Sequence, residues 1–232
     1  MAVKKSELYS SLWNSCNELR GGMDASLYKD YVLTLLFVKY VTDRFTGDRY
    51  AEIEIPEGGS FHDMIAAKGK NDVGDRMNKI ISKLAEENGL SGIIDVADFD
   101  DDGKLGSGKD KVDKLTNLIS IFQDEKLDFR KNKAGGDDII GDAYEYMMKN
   151  FATESGKSKG QFYTPAEVSR IMAKVIGISG ATVASQTIYD PACGSGSLLI
   201  RAADEAPNGI TIYGQEFDPT TAGLAKMNLV LH

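Results

Sequence analysis

Residues 186–199, Gln-Thr-Ile-Tyr-Asp-Pro-Ala-Cys-Gly-Ser-Gly-Ser-Leu-Leu, constrain this chain more than any other stretch. The apolar run Thr187, Ile188, Tyr189 ends in Asp190 and Pro191, passes through Gly194 and Gly196, and opens into Leu198, Leu199, Ile200, Arg201 and Ala202. This order predicts a strand, a tight turn and a helix start. In open α/β sheets such turns lie at the carboxyl ends of strands, where ligands bind. Glycine lets the backbone approach a ligand closely, and the unpaired N–H groups of the new helix receive its polar end. The stretch therefore predicts a cradle for a small ligand.

The surrounding residues narrow the ligand. A dinucleotide fingerprint, Gly-x-Gly-x-x-Gly, needs a third glycine at position 199, where this chain has Leu199. Downstream, the apolar run from Gly209 to Gln215 predicts the next parallel strand, with Glu216 at its tip. A carboxylate there accepts hydrogen bonds from both ribose hydroxyls of an adenosine. Asp-Pro-x-x-Gly-x-Gly followed by a strand-end acid resembles the S-adenosylmethionine site of methyltransferases. With the upstream Gly160-Gln161-Phe162-Tyr163-Thr164-Pro165, it resembles the amino-DNA methyltransferases, most closely the modification subunit of type I restriction-modification systems. Tyr28-Lys29-Asp30-Tyr31-Val32-Leu33, Gly141-Asp142-Ala143-Tyr144-Glu145-Tyr146 and Met227-Asn228-Leu229-Val230-Leu231-His232 extend the resemblance from about Leu8 to His232.

The resemblance implies S-adenosylmethionine as cofactor and site-specific methylation of adenine N6 in DNA. It also implies a multi-subunit assembly with a DNA-specificity subunit and a restriction subunit on double-stranded DNA. It sets Gln161, Phe162, Tyr163, Thr164, Pro165 and Ala166 against the methionine end of the cofactor. Pro165 suits the first turn of a helix through Val168, Ile171, Met172 and Val175, whose free N–H groups can take the methionine carboxylate. In the loop, Asp190 either meets the cofactor's ammonium or fixes the loop's own N–H groups. Gly194 and Gly196 set the turn, and Ser195 and Ser197 are expected to cap the following helix. Cys193 is a packing residue of the cofactor loop rather than a nucleophile, because no His lies near it in sequence. Phe217 either covers the adenine face or joins the core.

The fold expected is an α-helical N-terminal domain over residues 1–150, facing partners or DNA, then a linker at 151–160. Residues 161–232 are expected to be the first part of an α/β, Rossmann-like methyltransferase domain. Leu8, Leu12, Cys16 and Leu19 share one face of a helix over 6–19, with Ser6 as its cap. After Ser26, Tyr28, Tyr31, Val32, Leu35, Leu36, Phe37, Val38 and Val41 cover more than one face, so this second helix should be the buried centre of the domain. Residues 47–60 read as a loop, and helices resume around Met77 to Leu84, Leu115 to Phe122 and Ile139 to Phe151. Asp98, Asp100, Asp102 and Gly103 imitate half of an EF-hand loop, but position twelve is Lys109 where a bidentate Glu belongs, which leaves a polar surface loop.

Composition excludes several classes. With 42% hydrophobic and 27% charged residues in 232, the chain is globular. No apolar stretch approaches bilayer length, and Met1-Ala2-Val3-Lys4-Lys5 lacks a signal-peptide core, so a cytoplasmic protein is expected. Cys16, Cys193, His62 and His232 are too few and scattered for a disulfide scaffold or a zinc site. A net charge of −8 is opposite to that of a free-standing DNA clamp. The local basic candidates are Lys68, Lys70, Arg76, Lys79 and Lys83, then Lys126, Arg130, Lys131 and Lys133, although such runs are usually solvated helix faces.

One expected piece is missing from the sequence. Family members that methylate adenine carry a later Asx-Pro-Pro-aromatic motif, which holds the exocyclic amine and stacks on the flipped base. The five prolines, at 56, 165, 191, 207 and 219, include no adjacent pair. Only two of the seven strands of a methyltransferase sheet can be counted. The expectation is the N-terminal portion of a modification subunit, inactive by itself. Readings from other classes are a non-catalytic helical module docking on the specificity subunit, and a methyltransferase acting on RNA or protein.

Overall fold

The structure, a computed structural model, describes residues 25–130, 146–151, 164 and 166–232, together with Tyr9, Leu12, Trp13, Ser15, Asn17, Leu19 and Ala143. The chain divides into two compact units, Met1–Met147 and Met148–His232. The expected linker at 151–160 lies, except for Phe151, outside the described residues.

In the first unit, helix α1 (Ala25–Phe45) is apolar around most of its circumference, and such a helix must be buried. Tyr31, Val32, Leu35, Leu36, Phe37, Val38 and Val41 are almost wholly inaccessible. The polar groups that accompany them into the interior are paired, as burial requires. Thr34 donates to the Ile94 carbonyl at 3.1 Å, Tyr31 donates to the Asp98 carbonyl at 2.9 Å, and Thr42 Oγ1 accepts the Phe61 N–H at 2.9 Å. Against α1 pack α2 (Phe61–Ala67) and α5 (Gly108–Phe122), with α3 (Val73–Glu87) packed on both of these, and together they bury Met64, Met77, Leu84, Leu115, Leu118 and Phe122. Periodicity does not reveal α2, because seven residues hold fewer than two full turns. A capping box makes it: Ser60 and Asp63 each accept the other's backbone N–H. Tyr9, Leu12, Trp13, Ser15, Asn17 and Leu19 are helical, with Leu12 and Leu19 buried and the Tyr9 ring stacked on Tyr146 at 4.3 Å. Ser6, Leu8 and Cys16 of that predicted helix lie outside the described residues.

The acidic stretch is not a plain surface loop. Asp101 caps a one-turn helix, α4 (Asp102–Leu105), so Gly103 is helical rather than the sharp turn of a calcium loop. The cation among these carboxylates is an ammonium of the chain itself. Lys111 Nζ donates to Asp100 Oδ1 at 2.5 Å and to Asp102 Oδ1 at 2.7 Å, with only 8% of the residue exposed.

In the second unit, α6 (Ala166–Ile176) precedes β1 (Thr187–Asp190), α7 (Ser197–Asp204), β2 (Thr211–Gly214) and α8 (Pro219–Leu231). The two strands pair in parallel, with Thr187 opposite Thr211 and Asp190 opposite Gly214. A parallel pair needs a crossover, and α7 supplies it. The interior between α6, α7 and the sheet is built from small side chains, Ala173, Ala181, Ala202 and Ala206, with Ile178 and Ile188 beside them. Strand alternation sends Tyr189 and Tyr213 to the opposite face, where each is 56% exposed. Among the described residues no helix is long and apolar enough to cross a membrane.

Candidate functional site

The site is built where β1 ends. Past the last strand residues the pairing continues: the Gln215 N–H donates to the Asp190 carbonyl and the Cys193 N–H to the Gln215 carbonyl, both at 2.9 Å. These bonds turn the chain back against the tip of β2 before it enters α7. Two left-handed residues make the reversal, Gly194 at φ 57° and Gly196 at φ 78°. An L side chain disfavours that region, so glycine is required. The return also needs room. A Cβ on Gly214 would lie 2.9 Å from Cys193 Sγ and 3.0 Å from Leu199 Cδ1, so the strand end admits no side chain.

The predicted acid sits at this turn. Glu216 Oε2 accepts the Gly194 N–H at 3.1 Å, and Oε1 accepts the Asp218 N–H at 2.9 Å. One carboxylate thus joins the glycine loop to the start of α8, where Asp218 accepts the Thr221 N–H as N-cap. Asp190 Oδ1 accepts the Ala192 N–H at 2.9 Å, so of the two roles open to it the fixing of the loop is realised. Its Oδ2 has no hydrogen-bond partner among the described residues.

Two loop residues behave differently from the sequence expectation. Ser195 and Ser197 do not cap α7. Gly196 occupies the N-cap position and has no side chain to accept with, while the buried serines hydrogen-bond each other, Oγ to Oγ at 3.0 Å. The first N–H groups of α7 consequently have no side-chain cap. Phe217 is fully exposed and packs into no core among the described residues. Cys193 is half-buried against Gly214, and burial, followed by the charges of Asp190 and Glu216, pushes its thiol above the ordinary range. That is the reverse of an activated nucleophile.

Gln161, Phe162, Tyr163 and Pro165 lie outside the described residues. Thr164 is half-buried, and Ala166 opens α6. The structure therefore brings together Asp190, Cys193, Gly194, Ser195, Gly196, Ser197 and Glu216. It adds Gly214, which no sequence motif singles out, and Asn228, which lies in the Met227–His232 run but has no site role assigned from sequence. Asn228 is fully buried in α8 and donates Nδ2–H to the Ser195 carbonyl at 2.9 Å.

Around the turn, the residues present are of the kinds that receive a polar ligand. A Cβ at Gly194 would meet no atom within 4 Å, the α7 N–H groups are uncapped, and a carboxylate stands at the neighbouring strand tip.

Of the basic candidates, Lys70, Arg76, Lys79 and Lys83 line one cavity of about 590 Å³ in the helical unit. Arg76 and Lys79 are paired with Asp72 and Asp75 on their own helix, and Lys68 donates to Gln123. Arg130 is paired with Asp128, and Lys131 and Lys133 lie outside the described residues. This is the pattern of a solvated helix face.

Comparison with known proteins agrees with the geometry. Residues 8–122 match the family model of the HsdM N-terminal domain, and residues 135–232 match that of the N-6 DNA methylases. A type I restriction enzyme methylase subunit of Mycoplasma pneumoniae is 28% identical over 95% of this chain and 49% of its own length. One from Methanocaldococcus jannaschii is 39% identical over 54% of this chain and 23% of its own. A crystal structure of a type I restriction-modification methyltransferase subunit from Streptococcus thermophilus superposes with a TM-score of 0.77 at 25% identity, covering 99% of this chain and 56% of that one. The chain spans about half, or less, of the length of the curated relatives it matches. With the HsdM N-terminal model matched over the helical residues 8–122 and the N-6 DNA methylase model over residues 135–232 that hold the glycine loop, the chain belongs to the family of type I restriction-modification methylase subunits.

Proposed function

We propose that this chain serves S-adenosylmethionine-dependent methylation of adenine N6 in DNA, as part of the modification subunit of a type I restriction-modification complex. The observation that carries the reading is the Glu216 carboxylate bonded to the Gly194 N–H at the tips of two parallel strands. Each carboxylate oxygen has two acceptor sites and spends one on the backbone, so both can still accept from ribose hydroxyls.

When bound, the cofactor supplies an electrophilic methyl group on its sulfonium. The chain's own residues bind and orient it. Glu216 fixes the ribose, the uncapped N–H groups of α7 lie beside the turn, and Asp190 Oδ2 is free to meet the ammonium. The segment Gln161 to Ala166 takes the methionine end, and Phe217 is free to lie on the adenine. The methyl-accepting side, with an Asx-Pro-Pro-aromatic motif, is not in this sequence. The specificity subunit reads the DNA target, and the restriction subunit joins the same assembly.

Purified chain mixed with duplex DNA and methyl-labelled cofactor tests this. The expected result is cofactor binding by calorimetry and no label in the DNA. Label transferred by the chain alone overturns the reading that this sequence lacks the methyl-accepting side. Absence of cofactor binding, with capture of the specificity subunit retained, favours the helical interaction module instead.

A further inference from the structure

Asn228 is a buried amide that folding alone does not explain. It lies within α8, between Met227 and Leu229, and is 0% exposed. Its Nδ2–H donates to the Ser195 carbonyl, 33 residues away in sequence, at 2.9 Å. Its Oδ1 is buried and meets no hydrogen-bond donor among the described residues. The orientation is dictated by chemistry, since a reversed amide would set an oxygen against the Ser195 carbonyl. A buried acceptor without a donor is a standing cost, and an apolar side chain of similar volume avoids it. Proteins keep such costs mainly at sites that work.

The amide also holds the right piece of chain. Ser195 stands between Gly194 and Gly196, the two residues that make the turn. From the other side Glu216 holds the Gly194 N–H. Gly196 rests directly on α8, where a Cβ on it would meet the Ala225 Cβ at 3.6 Å. The turn is thus gripped by a carboxylate on the strand side and by an amide on the helix side. A loop of two left-handed glycines has many conformations to lose, and each grip removes some before a ligand arrives.

We propose that Asn228 is a positioning residue for the cofactor loop: it fixes the Ser195 carbonyl so that the glycine turn is preformed for S-adenosylmethionine. The inference rests on the cofactor reading above. Two different changes in one variant follow. Asn228→Leu removes the unmet acceptor but leaves the buried Ser195 carbonyl without its donor, so one orphan replaces another and the melting temperature stays close to that of the unsubstituted chain. Its affinity for S-adenosylmethionine falls about tenfold, the loss of one net hydrogen bond's worth of preorganisation.

The experiment is calorimetry of S-adenosylmethionine binding to the full chain, paired with thermal unfolding without ligand. Asn228→Asp is the second variant. Protonated, its carboxyl can donate to the Ser195 carbonyl; ionised, it repels that oxygen, so its affinity recovers as pH falls while that of Asn228→Leu does not. A purely structural role gives the reverse split, a lower melting temperature with affinity kept, and overturns the proposal. Glu216→Ala separates the two readings: lost affinity there, with none lost in Asn228→Leu or Asn228→Asp, overturns this inference and leaves the cofactor site standing. No cofactor binding by the unsubstituted chain removes both.

Discussion

Glu216 Oε2 accepts the Gly194 N–H at 3.1 Å, so the acid at the end of the second strand and the turn after the first form one unit. The same side chain therefore has two tasks, shaping the loop and receiving ribose hydroxyls. Glu216→Gln retains one carbonyl acceptor and removes the charge, and Glu216→Ala removes both. Cofactor affinity should fall about tenfold in the first and about a hundredfold in the second, as expected for one or two charge-assisted hydrogen bonds. Calorimetry checks the order. Equal affinities in the two variants would mean that Glu216 does not contact the ligand.

Gly214 tests the packing of the turn separately from its chemistry. Its backbone carries no left-handed strain, so the cost of Gly214→Ala is steric, with Cys193 Sγ at 2.9 Å and Leu199 Cδ1 at 3.0 Å from the new methyl. Overpacking of this kind costs about 1–3 kcal/mol. Gly196→Ala should cost about 1 kcal/mol for the opposite reason: its Cβ finds ordinary contact at 3.6 Å, but φ is 78°. Pairing Gly214→Ala with Cys193→Ala should restore part of the first loss and none of the second, which thermal unfolding would show.

What short-range spacing encodes was legible. The strand, the two glycines, the helix start and the strand-end acid follow one another along the chain, and each has a local physical cause. The apolar α1 was readable because an all-round hydrophobic helix has only one place to go. What depends on distant partners was hidden. Asn228 stands in the sequence only as one member of the Met227–His232 run, and its reach to Ser195 shows what it holds. Gly214 has no positive φ to advertise it. The acidic stretch 98–109 looked like half a cation loop with Lys109 in the wrong place, whereas the neutralising charge comes from Lys111. Ser195 and Ser197 had the composition of caps, but the cap position fell on Gly196.

Cys193 offers a probe of the site without ligand-binding data. Burial first, then the carboxylates of Asp190 and Glu216, hold its thiol above the usual value. Because the thiolate is the reactive form, alkylation at pH 8 should be slower than for a free thiol and should accelerate as pH rises. Glu216→Gln removes one of the raising charges and should speed alkylation at fixed pH. Mass spectrometry of the peptide containing residue 193 measures both. An alkylation rate equal to that of a free thiol in the unsubstituted chain would contradict the packed position beside Gly214.

Lys111 tests whether the acidic stretch is neutralised from within. Hydrogen bonds that it donates to Asp100, then to Asp102, hold its ammonium above the ordinary lysine value. A group whose pKa is raised by folding stabilises the fold fully below its unfolded value of about 10.4, and the contribution disappears as pH climbs through the folded value. The partner side chains are 46% and 64% exposed, so solvent screens the pair and the increment is modest, about 1 kcal/mol. Lys111→Met, which keeps the buried stem and removes the charge, should lower the melting temperature by about 2–4 °C at pH 7. The gap should be constant down to mildly acidic pH and should narrow above about pH 10.5, because the unsubstituted chain then loses the same charge. A gap that persists unchanged at alkaline pH would assign the loss to packing of the side chain and not to its ammonium.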